Sequence, residues 1–428
     1  MQGQRKRSSL VGMGYESDGQ GLSVGVVSPL SEKNNGTTER SNHRTPSRAL
    51  RVLVLTPDFP PTVGGIQSYV YQLCAHLPDA EVVVVAPDHA GARAFDARQR
   101  FRVVRTASRG KLGRLSYGVF CAGAVGIGLT GGFDVIVCGH FLAGVPALVL
   151  RRLRGVPVVV LAHSQEVRAR QRRDLARRVF QRADRAIANS EFTRAVLMGV
   201  GVSPDRIRKV NPPAHLPNSD GLGDPEGARR RFGLGGGPLL LTVSRLAERY
   251  KGHDTAIRAL PLIRSKVPGV QHVLVGEGPL QGFYARLARS LGVEAVTVFL
   301  GRVEGADLAA LYSACDVFVM LSRESRIAGG AEGFGIAFLE AGLMGKPVVG
   351  GRSGGIPDAV QDEVTGLLVD PTDIQVVADA LVRLLTNPGL ARSLGENGRR
   401  LAAAQFAPPR LAGIFREVLL EAVAQRGG

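Results

Sequence analysis

Glu332 and Glu340 stand with seven residues between them, and Gly333-Phe334-Gly335-Ile336 follows the first. A glycine-rich loop lets the backbone approach a ligand closely. A helix opening at Gly335 would aim unpaired N–H groups at phosphate or sugar oxygens. Glu332 could then accept hydrogen bonds from sugar hydroxyls. Glu340, set among Ala337, Phe338, Leu339 and Ala341, would need a buried partner, either a ribose hydroxyl pair or a structural hydrogen bond. Two cations, Arg245 and Lys251, occupy the stretch 244–254 just after an apolar run. One is a planar fork and the other a point charge, a pair suited to a diphosphate, although solvated loop charges would look the same. Gly64 and Gly65, in the stretch 60–67, offer either another close approach to phosphate or an ordinary turn into a helix. The stretch 60–67 matches neither a P-loop nor a GxGxxG fingerprint.

These residues need a scaffold, and the hydrophobic pattern supplies one. Continuous apolar runs at 51–55, 81–86, 134–138, 157–162 and 185–189 read as strands buried on both faces, as in a parallel sheet. Helix-compatible segments at 66–77 and 142–153 fall between them. A second series of strands follows at 238–244, 271–276, 296–300, 317–321, 347–350 and 366–369. Its helices are expected at 253–267, 280–291, 305–314, 335–344 and 372–385. The expected fold is α/β, two doubly wound, Rossmann-like domains facing across a cleft. The expected domains are a disordered tail at 1–48, a first domain at 49–210, a linker dense in Pro, Gly and Asp at 211–237, a second domain at 238–408, and a closing helix at 409–428.

Composition narrows the class. The 428 residues are 44% hydrophobic and 21% charged, which suits two globular domains. The four cysteines, Cys74, Cys121, Cys138 and Cys315, lack metal-ligand spacing and point to a reducing compartment. No apolar run reaches the roughly eighteen residues of a membrane span, and Arg5-Lys6-Arg7 is followed by no apolar stretch of a secretory signal. The expected location is therefore cytoplasmic, peripheral at the inner membrane face if the charge is used there. That charge is +17, from 54 Lys and Arg against 37 Asp and Glu, with arginines crowded over 168–185. An anionic membrane surface and a solvated helix face both account for it. Nucleic acid ranks last, because no aromatics are interleaved for base stacking.

The Glu332–Glu340 spacing with Gly-Phe-Gly resembles the EX7E element of retaining, GT-B-fold glycosyltransferases of family four. The run 345–358, ending in a Gly-Gly loop, and the VGEGP turn at 275–279 resemble further motifs of that family, in order from Arg51 to the last helix. The resemblance implies that Arg245 and Lys251 hold the donor diphosphate. It further implies that Glu332 and the Phe334-Gly335-Ile336 backbone hold the donor sugar, Glu340 the ribose, and Gly64 and Gly65 the phosphate from the opposite domain. It implies a nucleotide-sugar donor with no metal or other cofactor. The family spaces its cations five apart, whereas Arg245 and Lys251 are six apart, so a local bulge is expected, with Arg249 as the substitute if the register differs. His163-Ser164-Gln165-Glu166 is similar to the family's His-Gly loop, with Ser164 in the glycine position. His163 would then line the cleft beside the sugar or the attacking group, with His140 as rival. The Gly-Gly-Ile-Gln run at 64–67 and the Glu-Gly-Phe-Gly-Ile run at 332–336 resemble those of mannosyltransferases acting on phosphatidylinositol mannosides and related glycolipids, implying GDP-mannose and a lipid-linked acceptor. UDP-glucose or UDP-N-acetylglucosamine donors, and polysaccharide or small-molecule acceptors, stay open. A sugar-binding module without chemistry fits less well.

Overall fold

The computed structural model describes residues 48–107, 113–168, 173–216, 224–325 and 330–426. All but the last residue of the expected tail at 1–48, and Arg170 and Arg172 of the basic stretch, lie outside them. Seven parallel strands form the first sheet: β1 (Leu50–Leu55), β2 (Ala80–Pro87), β3 (Arg102–Thr106), β4 (Val135–Cys138), β5 (Val158–Ala162), β6 (Arg185–Ala188) and β7 (Ile207–Lys209), in the order 3-2-1-4-5-6-7. Six more form the second: β8 (Leu239–Val243), β9 (Gln271–Val275), β10 (Thr297–Gly301), β11 (Val317–Met320), β12 (Val348–Gly351) and β13 (Gly366–Val369), in the order 10-9-8-11-12-13. Both orders reverse direction beside the first strand, and the crevice at such a switch point is where open α/β sheets take ligands.

Central strands such as Val52–Leu55 are fully buried because helices cover both faces. On the first sheet, helices Arg114–Thr130, Gly144–Arg154 and Arg173–Arg182 bury Phe120, Leu150 and Phe180 on one face. Helix Gly65–Ala75 covers the other face together with the final helix, Pro408–Ala424. That last helix belongs by sequence after the second domain, yet Phe415, Val418 and Leu419 pack under the first sheet, and Glu421 accepts hydrogen bonds from Arg185 and Arg208. The linker region holds the helix Pro225–Arg231, whose Ala228 packs into the second domain's core.

Candidate functional site

The second domain's cation loop runs from the end of β8 to helix His253–Lys266 through a 3₁₀ turn, Arg249–Lys251. The VGEGP turn after β9 shapes it. Gly276 has φ +137, and a Cβ there would lie 2.1 Å from the Ser244 carbonyl oxygen, so the two backbones pack at a distance only glycine allows. Leu246 N donates to the Glu277 carbonyl at 2.9 Å, and Leu280 N donates to the Leu246 carbonyl at 2.9 Å. Beneath the loop, burial pushes His253 down to about 4, so its imidazole is neutral and adds no repulsion to the cations above. Its Nε2 lies 3.1 Å from Ser244 Oγ and 3.3 Å from the Arg245 carbonyl.

The loop delivers its two cations to different places. Lys251 Nζ meets Glu332 Oε2 at 2.6 Å, with the side chains only 13% and 14% exposed. Burial works against the lysine's charge, but Glu332 above all outweighs it, and the Lys251 pKa is raised. Arg245, by contrast, is 68% exposed and pairs with Glu248 at 3.0 Å. Arg249, the alternative cation, lies over the Phe283 ring at 4.5 Å.

Glu332 is held by its own backbone neighbours. Gly355 N donates to the Glu332 carbonyl at 2.9 Å, so the Gly-Gly loop after β12 braces the carboxylate loop from behind. Phe334 is buried against Phe406, leaving its backbone rather than its ring for a ligand. Gly335, at φ +99, caps helix Ile336–Leu343, a conformation that would strain any other residue. Glu340 sits within that helix, and Tyr312 Oη donates to its Oε2 at 2.6 Å. Burial pushes the Glu340 carboxyl up to about 7, with the tyrosine pulling it partly back. Sequence reasoning missed Tyr312. Its one signal is that a tyrosine in an apolar helix must find an acceptor.

The first domain forms the opposite wall. A Cβ on Gly65 would lie 3.6 Å from Ile336 Cδ1, so the glycine turn faces the start of the Glu340 helix. His163, at the end of β5, is buried. Its Nε2 donates to the Gly139 carbonyl at 2.8 Å, its backbone N–H donates to Glu166 Oε1 at 2.6 Å, and its ring packs edge-on against Tyr69. A carbonyl only accepts, so the proton on Nε2 is fixed and Nδ1 is the atom left for other work. His140 Nδ1 instead accepts from Leu142 N at 3.2 Å and starts a 3₁₀ turn. Ser164 adopts φ +71, keeping the left-handed geometry of the glycine it stands in for. Asp58, also missed from sequence, lies near His163 and accepts from Gln67 Nε2 at 3.4 Å; burial raises its pKa, with His163 pulling it down.

Contacts join the walls. Gln165 Nε2 donates to Tyr250 Oη and, at 3.3 Å, to the Ala331 carbonyl. Asp358 accepts from Glu191 N at 3.1 Å and from Lys209 Nζ at 3.2 Å. Lys251, Glu332, Ile336 and Gly65 are thus brought together, with Glu340 and Tyr312 one layer beneath and His163 across the gap. Arg245 is on the same loop but turned outward.

Comparison with known proteins fits this arrangement. Residues 226–401 match the model for glycosyl transferases group 1, and residues 63–216 match that for glycosyltransferase family 4. A GDP-mannose-dependent alpha-(1-6)-phosphatidylinositol monomannoside mannosyltransferase of Mycolicibacterium smegmatis is 34% identical, covering 82% of this chain and 93% of the relative. A D-inositol 3-phosphate glycosyltransferase of Salinispora arenicola is 29% identical over 93% of this chain and 98% of its own length. Among solved structures, Anabaena HepE with UDP and glucose superposes with a TM-score of 0.73 at 21% identity, covering 87% of this chain and all (100%) of that one. Sucrose-phosphate synthase from Thermosynechococcus elongatus gives 0.71 at 24%, covering 88% and 100%. Two parallel-sheet domains, a last helix returning to the first, and family matches on either side of the cleft make this chain a GT-B-fold glycosyltransferase, a member of the group 1, family 4 glycosyl transferases.

Proposed function

We propose that the chain transfers mannose from GDP-mannose to a mannosylated phosphatidylinositol, with retention at the anomeric carbon and no divalent metal, at the inner membrane face. The observation that carries the substrate is the 34% identity extending over 93% of the mycolicibacterial mannosyltransferase. The named acceptors of both relatives described above also share an inositol bearing a phosphate.

The residues support a division of labour. Lys251, with Arg245 swung inward from the same loop, would neutralise the leaving diphosphate. Glu332 and the N–H groups opening helix Ile336–Leu343 would fix the sugar's hydroxyls, and Glu340 would accept from the ribose. On this reading the carboxylates among the described site residues, Glu332 and Glu340, are taken up by the sugar and the ribose, so a front-face route without a carboxylate nucleophile fits best. In it the bond from the anomeric carbon to phosphate oxygen breaks, the bond to the acceptor oxygen forms, and the acceptor's proton passes to the departing phosphate oxygen. His163 Nδ1 would orient the sugar or the attacking hydroxyl.

A thermal-shift panel of GDP, UDP, ADP and their sugars, without metal, tests the donor. Saturation at about a hundred times Kd should add about 2.7 kcal/mol. Stabilisation by the UDP series alone would overturn the donor assignment. Label from GDP-mannose should enter organic-extractable lipid when phosphatidylinositol mannoside is supplied, and its absence there would overturn the acceptor.

A further inference from the structure

One face of the first domain is apolar on its outside. Helix Arg114–Thr130 turns Phe120 and Ala124 inward, while its opposite side exposes Leu115, Val119, Ala122 and Leu129 without one charge among them. Leu115 is 84% exposed. The neighbouring helix Gly144–Arg154 does the same with Val145, Val149 and Leu153, spaced four apart on one stripe. Tyr117 Oη donates at 2.9 Å to the carbonyl of Leu142, in the turn that leads into the second helix, and Gly128 approaches Leu150, so the stripes run side by side. Next to them, helix Arg173–Arg182 exposes Arg173, Arg177, Arg178 and Arg182, and Arg152 and Arg154 close the second stripe. Asp174 is the one carboxylate on all three helices.

We infer that this three-helix face is the membrane-docking surface, with the aliphatic stripes entering the headgroup boundary of an anionic bilayer and the arginines pairing with lipid phosphates. Soluble monomers rarely leave adjoining apolar stripes in water, and arginines beside such stripes are what an anionic interface takes. The alternative occupant, a second copy, fits poorly. A two-fold contact across this face would set arginine-bearing helices against each other with almost no acid to match. Helices Arg114–Thr130 and Gly144–Arg154 follow β3 and β4 and so begin toward the sheet's carboxyl edge, where His163 lies. Docking on this face would hold the cleft mouth at headgroup depth. The inference deepens the glycolipid reading above and rests on it.

Co-sedimentation of the full chain with phosphatidylinositol-containing and pure phosphatidylcholine vesicles tests it. Wild type should pellet with the anionic vesicles and much less with the neutral ones, and salt should release it. V149D/L153D should lower partitioning about tenfold or more, and R177Q/R178Q by about fivefold per arginine. Both should keep the wild-type melting temperature and GDP-induced thermal shift, since these side chains are exposed and outside the cleft. Vesicle binding equal to wild type in both variants would overturn the inference. So would a wild-type dimer that V149D/L153D splits, with no vesicle binding. Transfer to detergent-dispersed acceptor by a chain that ignores anionic vesicles would refute docking and leave the proposed activity standing. Vesicle binding without lipid transfer would do the reverse.

Discussion

Replacing the two members of the Lys251–Glu332 pair, singly and together, separates a structural role from a catalytic one. The pair is 2.6 Å long and nearly buried, so Lys251→Met leaves an uncompensated carboxylate and Glu332→Gln an uncompensated ammonium. Breaking one side of a buried pair costs about 3–5 kcal/mol, whereas replacing both sides with neutral groups is often close to neutral. At about 2–4 °C per kcal/mol for a domain of this size, each single variant should melt about 6–12 °C or more below wild type. The double variant should recover most of that loss, which in a double-mutant cycle is a coupling energy of about 5 kcal/mol or more. Turnover should behave differently. If Lys251 offsets charge on the leaving diphosphate and Glu332 holds the sugar, restoring stability restores neither contact. All three variants should then lose about 10²–10³ in kcat. Calorimetry and a GDP-mannose transfer assay on the same preparations give both readings. A double variant that regains both melting temperature and turnover would reduce the pair to a structural link and refute the site.

Glu340 predicts a pH dependence. Its folded pKa, pushed up to about 7 from 4.5, means that the protonated form stabilises the fold, so this contribution is complete below about pH 4.5 and lost as pH rises through 7. Melting temperature of wild type relative to Glu340→Gln should therefore fall between pH 5 and 8, approximately, and a flat difference would contradict the buried carboxyl. Tyr312→Phe removes a downward pull on that carboxyl, so the midpoint of pH-dependent GDP binding should move to higher pH; an unmoved midpoint would exclude the tyrosine from the site. Ser164→Gly relieves a left-handed serine whose buried Oγ has no partner among the described residues, and should raise stability by about 1 kcal/mol, read from a denaturant midpoint. Transfer should proceed at full rate in EDTA, and a strict magnesium or manganese requirement would reject the metal-free reading.

The second domain was the more legible half, because its six strands are continuous apolar runs and the structure has a strand at each of them. In the first domain β3 and β7 escaped. Phe101-Arg-Val-Val-Arg-Thr interleaves arginines with valines, as suits a sheet edge, and Ile207–Lys209 is only three residues long. Helix Arg114–Thr130 hides behind glycines that serve packing: a Cβ on Gly128 would lie 2.3 Å from Leu150 Cδ1. The helix Pro388–Gln405 hides similarly, since a Cβ on Gly395 would lie 2.0 Å from the Gly345 carbonyl oxygen. At the site, the carboxylates and Lys251 were legible from spacing. Tyr312 was not, because a partner twenty-eight residues away on another helix leaves no local pattern. Arg245 was legible as a residue but not in its direction, since its i,i+3 contact with Glu248 decides that.

The Lys251–Glu332 contact also bears on how a donor enters. Each group, alone in this position, would be a buried charge without a partner, so in the free protein each serves as the other's counter-ion. A donor that takes the lysine to its phosphates and the glutamate to its hydroxyls replaces one partnership with two, and its affinity is the difference between them. The exchange takes place beside a contact between the domains. Lys251 follows Tyr250 in the chain and Glu332 follows Ala331, and those two neighbours are the groups that Gln165 reaches from the first domain. A shift of either charged side chain that moves its backbone therefore strains or relieves a contact between the domains. On the proposed reading, nucleotide-sugar binding and the contact between the domains are linked through Gln165, and the linkage follows from adjacency in sequence rather than from a separate hinge.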